Sequence, residues 1–401
     1  MDKIKEVLTR GVEAIYPAKE AFEKRLRSGK KIKLYQGFDP SMANLHLGHM
    51  VGILKLKQFQ DLGHEVIFLV GDFTGMIGDP TDKSSTRKLL TRKQVLANAK
   101  AWRKQAGKIL DFGGQNPAKM LFNSQWGDKV TFKDLIEITS HFTVQQMLER
   151  DFFQRRLKAQ KPIYLHEFLY PAAQAIDCVA MDVDLEIGGS DQTFNMLAGR
   201  TLMKALKGKD KFVLTTKLLV DAKGEKAGKT AGNALFLNTS PSDMYGAIMS
   251  FPDETVIPGF ELLTQVPMAS IKTMEKDLKQ KPMELKKKLA FEIVKMLDGE
   301  KNAKNAAKEF ERVVQKKRMP TRIPKKILSK KILGEIYTLT QLIHYAVPLR
   351  SKTEAKRLIE QGGVAIDGEV ILDPNQSITI KNNMVIRCGK RKFVRIKTSA
   401  A

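Results

Sequence analysis

The first thirty residues carry apolar side chains at helical spacing. These side chains belong to Ile4, Val7, Leu8, Val12 and Ile15. Residues three or four positions apart share one face of a helix, so the pattern predicts helices over residues 1–30.

A strand, a loop, a helix and a second strand are predicted next. The stretch KIKLYQGFDP is typical of a strand that runs into a loop, and LGHMVGILKLKQFQDLG predicts a helix from about Gly48 to a cap at Gly63. The continuous apolar run at 66–70 indicates a parallel strand that is buried on both faces. This order makes one βαβ unit, which favours a parallel α/β sheet.

The remaining pattern alternates between helices and short strands. Charged helices are predicted through roughly 91–160, followed by a helix, a strand at 185–187 and a Gly-Gly turn. The stretch KFVLTTKLL predicts a strand before a Lys/Gly loop, and residues from about 238 to 318 are helical in pattern. The final segment predicts a helix, a Gly-Gly turn and short strands.

Length, charge and cysteine content narrow the class of protein. A single core stops growing at roughly 250–300 residues, so the 401 residues predict two or three domains. The net charge of +25 favours a nucleic-acid partner over a membrane surface. Cys178 and Cys388 lack the spacing of a disulfide framework or a zinc site. This spacing predicts no metal site of the protein's own. With neither a signal peptide nor an apolar run of ~18 residues, the sequence predicts a cytoplasmic protein.

Three polar segments follow predicted strands and are expected to meet in one cleft. They are GFDPSMANLHLGHMV, GDFTGMIGDP and IGGSDQ, and ligands of open parallel sheets bind where the strand order reverses. His46 and His49 stand at a helix N-terminus, which attracts phosphate, and Gly48 leaves room for a flat ring. By itself, a strand-to-helix turn with two surface histidines explains this motif equally well.

Two other segments carry candidate chemistry. In KAGKT, Lys226 and Lys229 suit a phosphate, although a solvated loop explains them better in a chain so rich in lysine. Tyr170, Gln174 and Asp177 share one helix face, which favours a binding pocket over a solvent-facing stripe.

The order of HLGH, GGSDQ and KAGKT resembles the signature set of class I aminoacyl-tRNA synthetases. The stretches YQGFDPSMANLHLGH, GDFTGMIGDPTDKSSTR and YPAAQAIDCVAMDVDLEIGGSDQ are similar to those of bacterial-type tyrosyl-tRNA synthetases, and the resemblance covers nearly the whole chain. It implies a doubly wound, Rossmann-like catalytic domain. It also implies that tyrosine and ATP, with Mg²⁺ on the phosphates, form tyrosyl-adenylate and pyrophosphate, and that tyrosine then passes to the 3′ end of tRNA(Tyr).

The resemblance also implies a set of ATP-handling residues. His46 would contact the transferring phosphate region with Ser41 beside it, Gly48 would lie under the adenine, and His49 and Asp191 would meet the ribose. The KMSKS signature maps onto 226–230, where the lysines would hold the leaving pyrophosphate. The catalytic residues implied are His46, His49, Lys226, Lys229 and Thr230.

A second implied set binds the amino acid. Tyr35 and Asp177 would face the phenol, so phenylalanine would leave buried polar groups unsatisfied. The other members divide between the ammonium group and the carboxylate and ribose. The ammonium set is Asp79, Tyr170 and Gln174 with Asn123 in support, and the second set is Asp39 and Gln192.

Three residues depart from the family pattern. Ala227 replaces Met or Phe in the lysine loop, Gly52 stands where some relatives have a hydroxyl residue near the ribose, and Gln36 stands where some have cysteine. These departures affect individual ribose contacts and not the reaction that the resemblance implies.

Four regions follow from the resemblance: a catalytic domain at 1–232, a helical anticodon-side domain at 233–320, a basic linker at 321–336 and an RNA-binding domain of the alpha-L type at 337–401. Residues 319–401 carry 16 Lys/Arg and 6 Asp/Glu, and clustered cations give affinity for phosphates. The tRNA-binding candidates are Arg350, Lys352, Lys356 and Arg357; a merely solvated helix is the alternative.

The family resemblance also implies a homodimer, with part of the interface expected around residues 132–150. Three alternatives remain open: a tryptophanyl-tRNA synthetase, a non-catalytic RNA-binding protein on a synthetase scaffold, and a nucleotidyltransferase without a tRNA partner. Tyr35, Asp177 and the basic tail favour tyrosine and tRNA.

Overall fold

A computed structural model describes residues 2–79, 89–220, 235–315, 319–320, 323–328, 334–347, 351–389 and 392–398. These residues form two compact units. The first lies within Met1–Ser240 and Ala247–Glu300, and the second lies within Pro241–Gly246 and Lys301–Ala401. None of the described helices is long and apolar enough to cross a membrane.

The first unit is built on a six-stranded sheet. Its strands are β1 (Val12–Tyr16), β2 (Lys33–Phe38), β3 (Glu65–Val70), β4 (Lys119–Phe122), β5 (Leu185–Gly189) and β6 (Phe212–Thr216). Their order is β1-β6-β5-β2-β3-β4, and all neighbours are parallel except β1, which is antiparallel to β6. The chain leaves β2 in one direction and β5 in the other, so the strand order reverses between them. The predicted doubly wound α/β sheet is confirmed.

Helices connect these strands and continue after the sheet. Those up to β6 are α1 (Lys3–Val7), α2 (Lys19–Arg27), α3 (Leu47–Asp61), α4 (Thr74–Ile77), α5 (Arg92–Ala99), α6 (Trp102–Ala106), α7 (Ser124–Gly127), α8 (Phe132–Thr139), α9 (Val144–Leu148), α10 (Asp151–Lys158), α11 (Leu165–Met181) and α12 (Thr193–Lys207). Those that follow β6 are α13 (Pro241–Ile248), α14 (Val256–Leu263), α15 (Met268–Asp277), α16 (Pro282–Asp298) and α17 (Glu300–Phe310). The helical pattern expected from about 238 onward is confirmed.

The predicted βαβ unit is present as β2, α3 and β3. Helix α3 begins one residue before the expected Gly48 and ends just before Gly63, whose φ of +85° is one that glycine adopts without strain. Five of the six residues of β3 are buried, because helices cover both faces of a parallel sheet.

Two expectations about secondary structure are wrong. Residues 12–16 form β1 and not a helix, because Val12 pairs with Thr216 and Tyr16 pairs with Val213 at the edge of the sheet. The region 91–160 also contains β4, which pairs with β3. In both cases the strand is defined by a partner that is distant in sequence, and local spacing does not reveal such a partner.

After α17, the described residues of the second unit combine short strands with two helices. Its elements after α17 are β7 (Lys325–Leu328), β8 (Ile336–Thr338), α18 (Leu339–Ala346), α19 (Lys352–Glu360), β9 (Val364–Ile366), β10 (Glu369–Val370), β11 (Ser377–Thr379), β12 (Val385–Cys388) and β13 (Lys392–Thr398). The strands form a five-stranded sheet, β10-β9-β12-β13-β7, and a pair, β11-β8. Ile343, Ile359 and Ile386 belong to one buried core. The expected helix, Gly-Gly turn and short strands are confirmed.

Candidate active site

A cleft of about 240 Å³ opens at the carboxyl ends of β2 and β5, where the strand order reverses. Every predicted ATP- and tyrosine-binding residue in the described part of the chain lines it. They are Tyr35, Asp39, Ser41, His46, Gly48, His49, Asp79, Asn123, Tyr170, Gln174, Asp177, Asp191 and Gln192. Lys226, Ala227, Lys229 and Thr230 lie outside the described residues. Segments far apart in sequence therefore converge on one site, as the strand-end argument predicts.

His46 and His49 form the start of α3. Nδ1 of His46 accepts the backbone N–H of Gly48 at 3.1 Å, and Nδ1 of His49 accepts the backbone N–H of His46 at 3.1 Å. The two rings stack with their centroids 3.8 Å apart. Because each Nδ1 accepts a hydrogen bond, the proton of each neutral ring lies on Nε2, which is then its donor atom. A Cβ on Gly48 would lie 2.9 Å from the His46 ring, so glycine is needed for this ring position.

A chain of hydrogen bonds crosses the cleft floor. The Tyr170 hydroxyl donates to Asp39 Oδ2 at 2.8 Å, and the Thr74 hydroxyl donates to Asp39 Oδ1 at 2.7 Å. Asn123 Nδ2 donates to Thr74 Oγ1 at 3.0 Å and lies 3.3 Å from Asp177 Oδ2. One of the three predicted ammonium ligands, Tyr170, and the supporting Asn123 thus share one network with Asp39, Asp177 and Thr74. Sequence reasoning did not single out Thr74.

Asp177 is a buried carboxyl group, 4% exposed. Trp126 Nε1 donates to its Oδ1 at 2.7 Å. Burial raises the pKa of Asp177 well above its usual range, although the N–H groups of Trp126 and Asn123 act in the opposite direction. Burial and the nearby Asp39 also raise the pKa of the Tyr170 hydroxyl. These groups are therefore suited to neutral hydrogen bonding at physiological pH.

Asp79 and Gln192 act as one unit. Gln192 Nε2 donates to Asp79 Oδ2 at 2.7 Å, and Gln192 Oε1 accepts from Asn195 Nδ2 at 2.9 Å. The guanidinium of buried Arg150 lies 3.9 Å from Asp79 Oδ1. Asp191 needs the neighbouring Gly189, where a Cβ would lie 2.5 Å from Asp191 Oδ1.

Gln36 and Gly52, which depart separately from the family pattern, are complementary in space. A Cβ on Gly52 would lie 2.1 Å from Gln36 Oε1, so the glutamine amide occupies the place of a side chain at position 52. Within the described residues, Gln36 Oε1 is buried without a hydrogen-bond partner. The two departures are therefore one coupled change at the cleft wall.

Behind Tyr35 lies a buried ion pair that sequence reasoning missed. Glu186, on β5, pairs with Lys211, just before β6. A glutamate within β5 and a lysine just before β6 were the available signal, because strands buried on both faces are normally apolar. The cleft therefore has a charged layer beneath Tyr35.

A doubly wound parallel sheet with a histidine-capped helix at its switch point is the architecture of a nucleotide-binding α/β enzyme. The chain belongs to the family of class I tRNA synthetases for tryptophan and tyrosine (W and Y), which it matches over residues 27–315. An S4 domain matches residues 339–384. The predicted family and its small C-terminal domain are confirmed.

Curated relatives match along nearly their whole length. The chain is 42% identical to the tyrosine–tRNA ligase of Thermotoga maritima over 396 residues, which is 98% of this chain and 96% of that protein. It is 41% identical to the tyrosine–tRNA ligase of Aquifex aeolicus, covering 94% of each chain.

Solved structures show the same fold. A truncated mitochondrial tyrosyl-tRNA synthetase from Coccidioides posadasii has a TM-score of 0.63 at 27% identity, covering 76% of this chain and 91% of that chain. The tyrosyl-tRNA synthetase of Archaeoglobus fulgidus complexed with L-tyrosine has a TM-score of 0.59 at 20% identity, covering 77% of this chain and 100% of that one. At that lower identity the likeness concerns the fold alone.

Proposed function

We propose that the chain activates L-tyrosine with ATP to form tyrosyl-adenylate and then transfers tyrosine to the 3′ end of tRNA(Tyr). The observation that carries this proposal is a cleft at the sheet's switch point that is lined by two buried polar groups, Tyr35 and Asp177. The Tyr35 hydroxyl donates to Glu186, and the Asp177 carboxyl group accepts from Trp126. A hydroxyl-bearing ring satisfies such groups, whereas an indole or a phenyl ring lacks a phenol oxygen. The names of the curated relatives support tyrosine over tryptophan.

In the ATP half of the site, His46 and His49 direct imidazole donors toward the phosphates. The N-terminus of α3 adds backbone N–H groups and a favourable dipole. Lys226 and Lys229 neutralise the leaving pyrophosphate, while Asp191 binds the ribose. Mg²⁺ enters as an ion carried on the ATP phosphates, where it supplies charge neutralisation. The reaction then depends on positioning and on stabilising the charge that develops.

In the tyrosine half, Tyr35 and Asp177 bind the phenol. Tyr170 and Gln174, which share the α11 face with Asp177, bind the ammonium together with Asp79. Gln174 Nε2 already donates a hydrogen bond to Glu186 Oε1 at 2.9 Å. The side-chain oxygen of Gln174, Oε1, is therefore the acceptor for an ammonium N–H. Asn123 supports this set through its hydrogen bonds to Thr74 and Asp177.

The second unit binds the tRNA. Lys352, Lys356 and Arg357 are exposed on α19, while Ala355 and Ile359 on the same helix are buried. An amphipathic helix with cations on its outer face suits contact with phosphates. Arg350, the fourth candidate, lies outside the described residues. The four-region division at 1–232, 233–320, 321–336 and 337–401 remains part of this proposal.

The chain forms a homodimer, and α8 contributes to its interface. Phe132 and Ile136 lie four residues apart on α8 and are 78% and 57% exposed. Large apolar side chains grouped on a surface mark a protein contact. A cytoplasmic location fits two free, buried cysteines. Phe132→Asp should give a monomer in analytical ultracentrifugation, and an unchanged dimer would remove α8 from the interface.

The test is amino-acid-dependent ATP–pyrophosphate exchange, run with each of the twenty amino acids, followed by charging of tRNA(Tyr). Exchange with tyrosine alone, lost in Asp177→Ala, is the expected result. Exchange with tryptophan instead would show that tryptophan, and not tyrosine, is the amino-acid substrate. A folded chain without exchange would refute the enzymatic proposal.

A further inference from the structure

A buried carboxylate joins two side chains of the cleft. Glu186 is 1% exposed, and its Oε1 accepts the Tyr35 hydroxyl at 2.6 Å and Gln174 Nε2 at 2.9 Å. Its Oε2 accepts the Lys211 ammonium, and Cys178 Sγ lies 3.2 Å away. Both oxygens of the carboxylate are thus engaged within the protein, and two of the donors line the cleft.

Lys211 is the cation that pairs with this carboxylate. Its side chain is fully buried, and Nζ also donates to the Met196 carbonyl at 3.0 Å and to Cys178 Sγ at 3.1 Å. Burial alone would lower the pKa of Lys211, but Cys178 and Glu186 outweigh burial and the pKa is raised. A Cβ on Gly199 would lie 2.8 Å from Lys211 Nζ, so the fold leaves space for this ion pair.

The charge of Glu186 determines the direction of the Tyr35 hydroxyl. Tyr35 has one hydroxyl proton, and that proton is donated to Glu186. The Tyr35 oxygen can therefore offer only a lone pair to a ligand in the cleft. A neutral acceptor would hold the proton less firmly, because hydrogen bonds to charged groups are roughly twice as strong.

A purely structural role explains the pair poorly. Replacing a buried ion pair by apolar residues of similar volume is often neutral or stabilising, because desolvation offsets the Coulomb attraction. A buried pair is therefore weak evidence of stabilisation. Its contact with two cleft side chains supports a role in recognition.

We propose that Glu186, held by Lys211, is a positioning residue that fixes the Tyr35 hydroxyl as a hydrogen-bond acceptor and thereby selects an amino acid whose ring donates a hydroxyl proton. This inference rests on the proposed tyrosine activation. Phenylalanine lacks the donor and leaves the Tyr35 lone pair unpaired in a buried site. Lys211 acts through Glu186 and touches no substrate.

The test compares Glu186→Gln with Glu167→Gln in pyrophosphate exchange, using tyrosine and phenylalanine. In Glu186→Gln the amide oxygen turns to the Lys211 cation, so the amide N–H₂ faces Tyr35 and its hydroxyl proton turns into the cleft. The ratio of kcat/KM for tyrosine to that for phenylalanine should fall at least about tenfold, through KM for tyrosine. KM for ATP should stay within about twofold, because the ATP residues are outside this network.

Glu167→Gln is the matched control because, among the described residues, Glu167 is the other buried glutamate that pairs with a cation, here Arg156. It should lower Tm and leave the tyrosine-to-phenylalanine ratio unchanged. If Glu186→Gln does not fold, Glu186→Gln with Lys211→Met removes the unpaired cation, and its ratio should still fall because the charged acceptor is gone.

An unchanged ratio in the folded Glu186 variants, or an equal fall in both glutamate variants, would overturn the inference. A rise in KM for ATP that parallels the rise for tyrosine would do the same, because it would indicate general damage. Failure of the proposed function is distinguishable, since the unmodified chain would then lack tyrosine-dependent exchange.

Discussion

Among the described ion pairs outside the cleft and the layer beneath it, the pair between Arg156 and Glu167 is predicted to be the most costly to break. Both side chains are 3% exposed, and the guanidinium donates to the two carboxylate oxygens at 2.7 and 2.8 Å. Glu167 Oε2 also accepts the backbone N–H of Tyr164 at 2.9 Å, which ties the pair to the start of α11. That helix carries the polar stripe of the cleft.

Glu167→Gln removes the charge that compensates a buried guanidinium. Breaking one partner of such a pair costs about 3–5 kcal/mol. At about 2 °C per kcal/mol, the low end for domains of this size, Tm should fall by about 6–10 °C. Differential scanning calorimetry at pH 7 measures this directly.

The matched exposed pair supplies the control. Arg27 and Glu23 lie 2.7 Å apart on α2, with side chains 45% and 34% exposed. Glu23→Gln should lower Tm far less than Glu167→Gln does, because solvent screens such pairs. Equal falls in Tm for the two variants would refute the reasoning from burial.

The effect of Glu167→Gln should also depend on pH. Burial opposes the charge of Glu167, but hydrogen bonds from Arg156 and the Tyr164 backbone outweigh it and lower the pKa of Glu167. A carboxyl whose pKa is lowered in the folded state stabilises above its unfolded pKa of about 4.3 and loses that contribution as pH falls through the folded pKa. The Tm values of the wild type and Glu167→Gln should therefore converge in acid.

Three further predictions concern other parts of the molecule. Burial lowers the pKa of Lys55 to about 7. Between about pH 7 and 10.4 the unfolded chain therefore binds more protons than the folded chain, and Tm should rise with pH in that window. Lys55→Met should lack this rise. Gly52→Thr should weaken ATP binding roughly tenfold by crowding Gln36, and adding Gln36→Cys should restore it; additive losses in KM for ATP would contradict the coupling. Lys356→Glu with Arg357→Glu should reduce kcat/KM for tRNA charging and leave pyrophosphate exchange intact, whereas a parallel loss of exchange would remove α19 from the tRNA site.

Much of the fold followed from local pattern. The bounds of α3, the buried run in β3 and the polar face of α11 were all predictable, because each depends on periodicity or a capping glycine within one segment. β1 was not predictable in this way, since its five residues are a strand only through pairing with β6. The same limit applies to β4 beside β3.

For the candidate site, too, some features follow from local sequence and others depend on tertiary packing. The sequence by itself determined which segments carry the chemistry, because strand ends in an open parallel sheet meet at its switch point. Only the tertiary structure brought Glu186 and Lys211 beneath Tyr35 and placed Gln36 over Gly52. Contacts of this kind depend on which side chains face each other across neighbouring strands and helices, and that choice is made by packing the whole sheet rather than by any one stretch of chain.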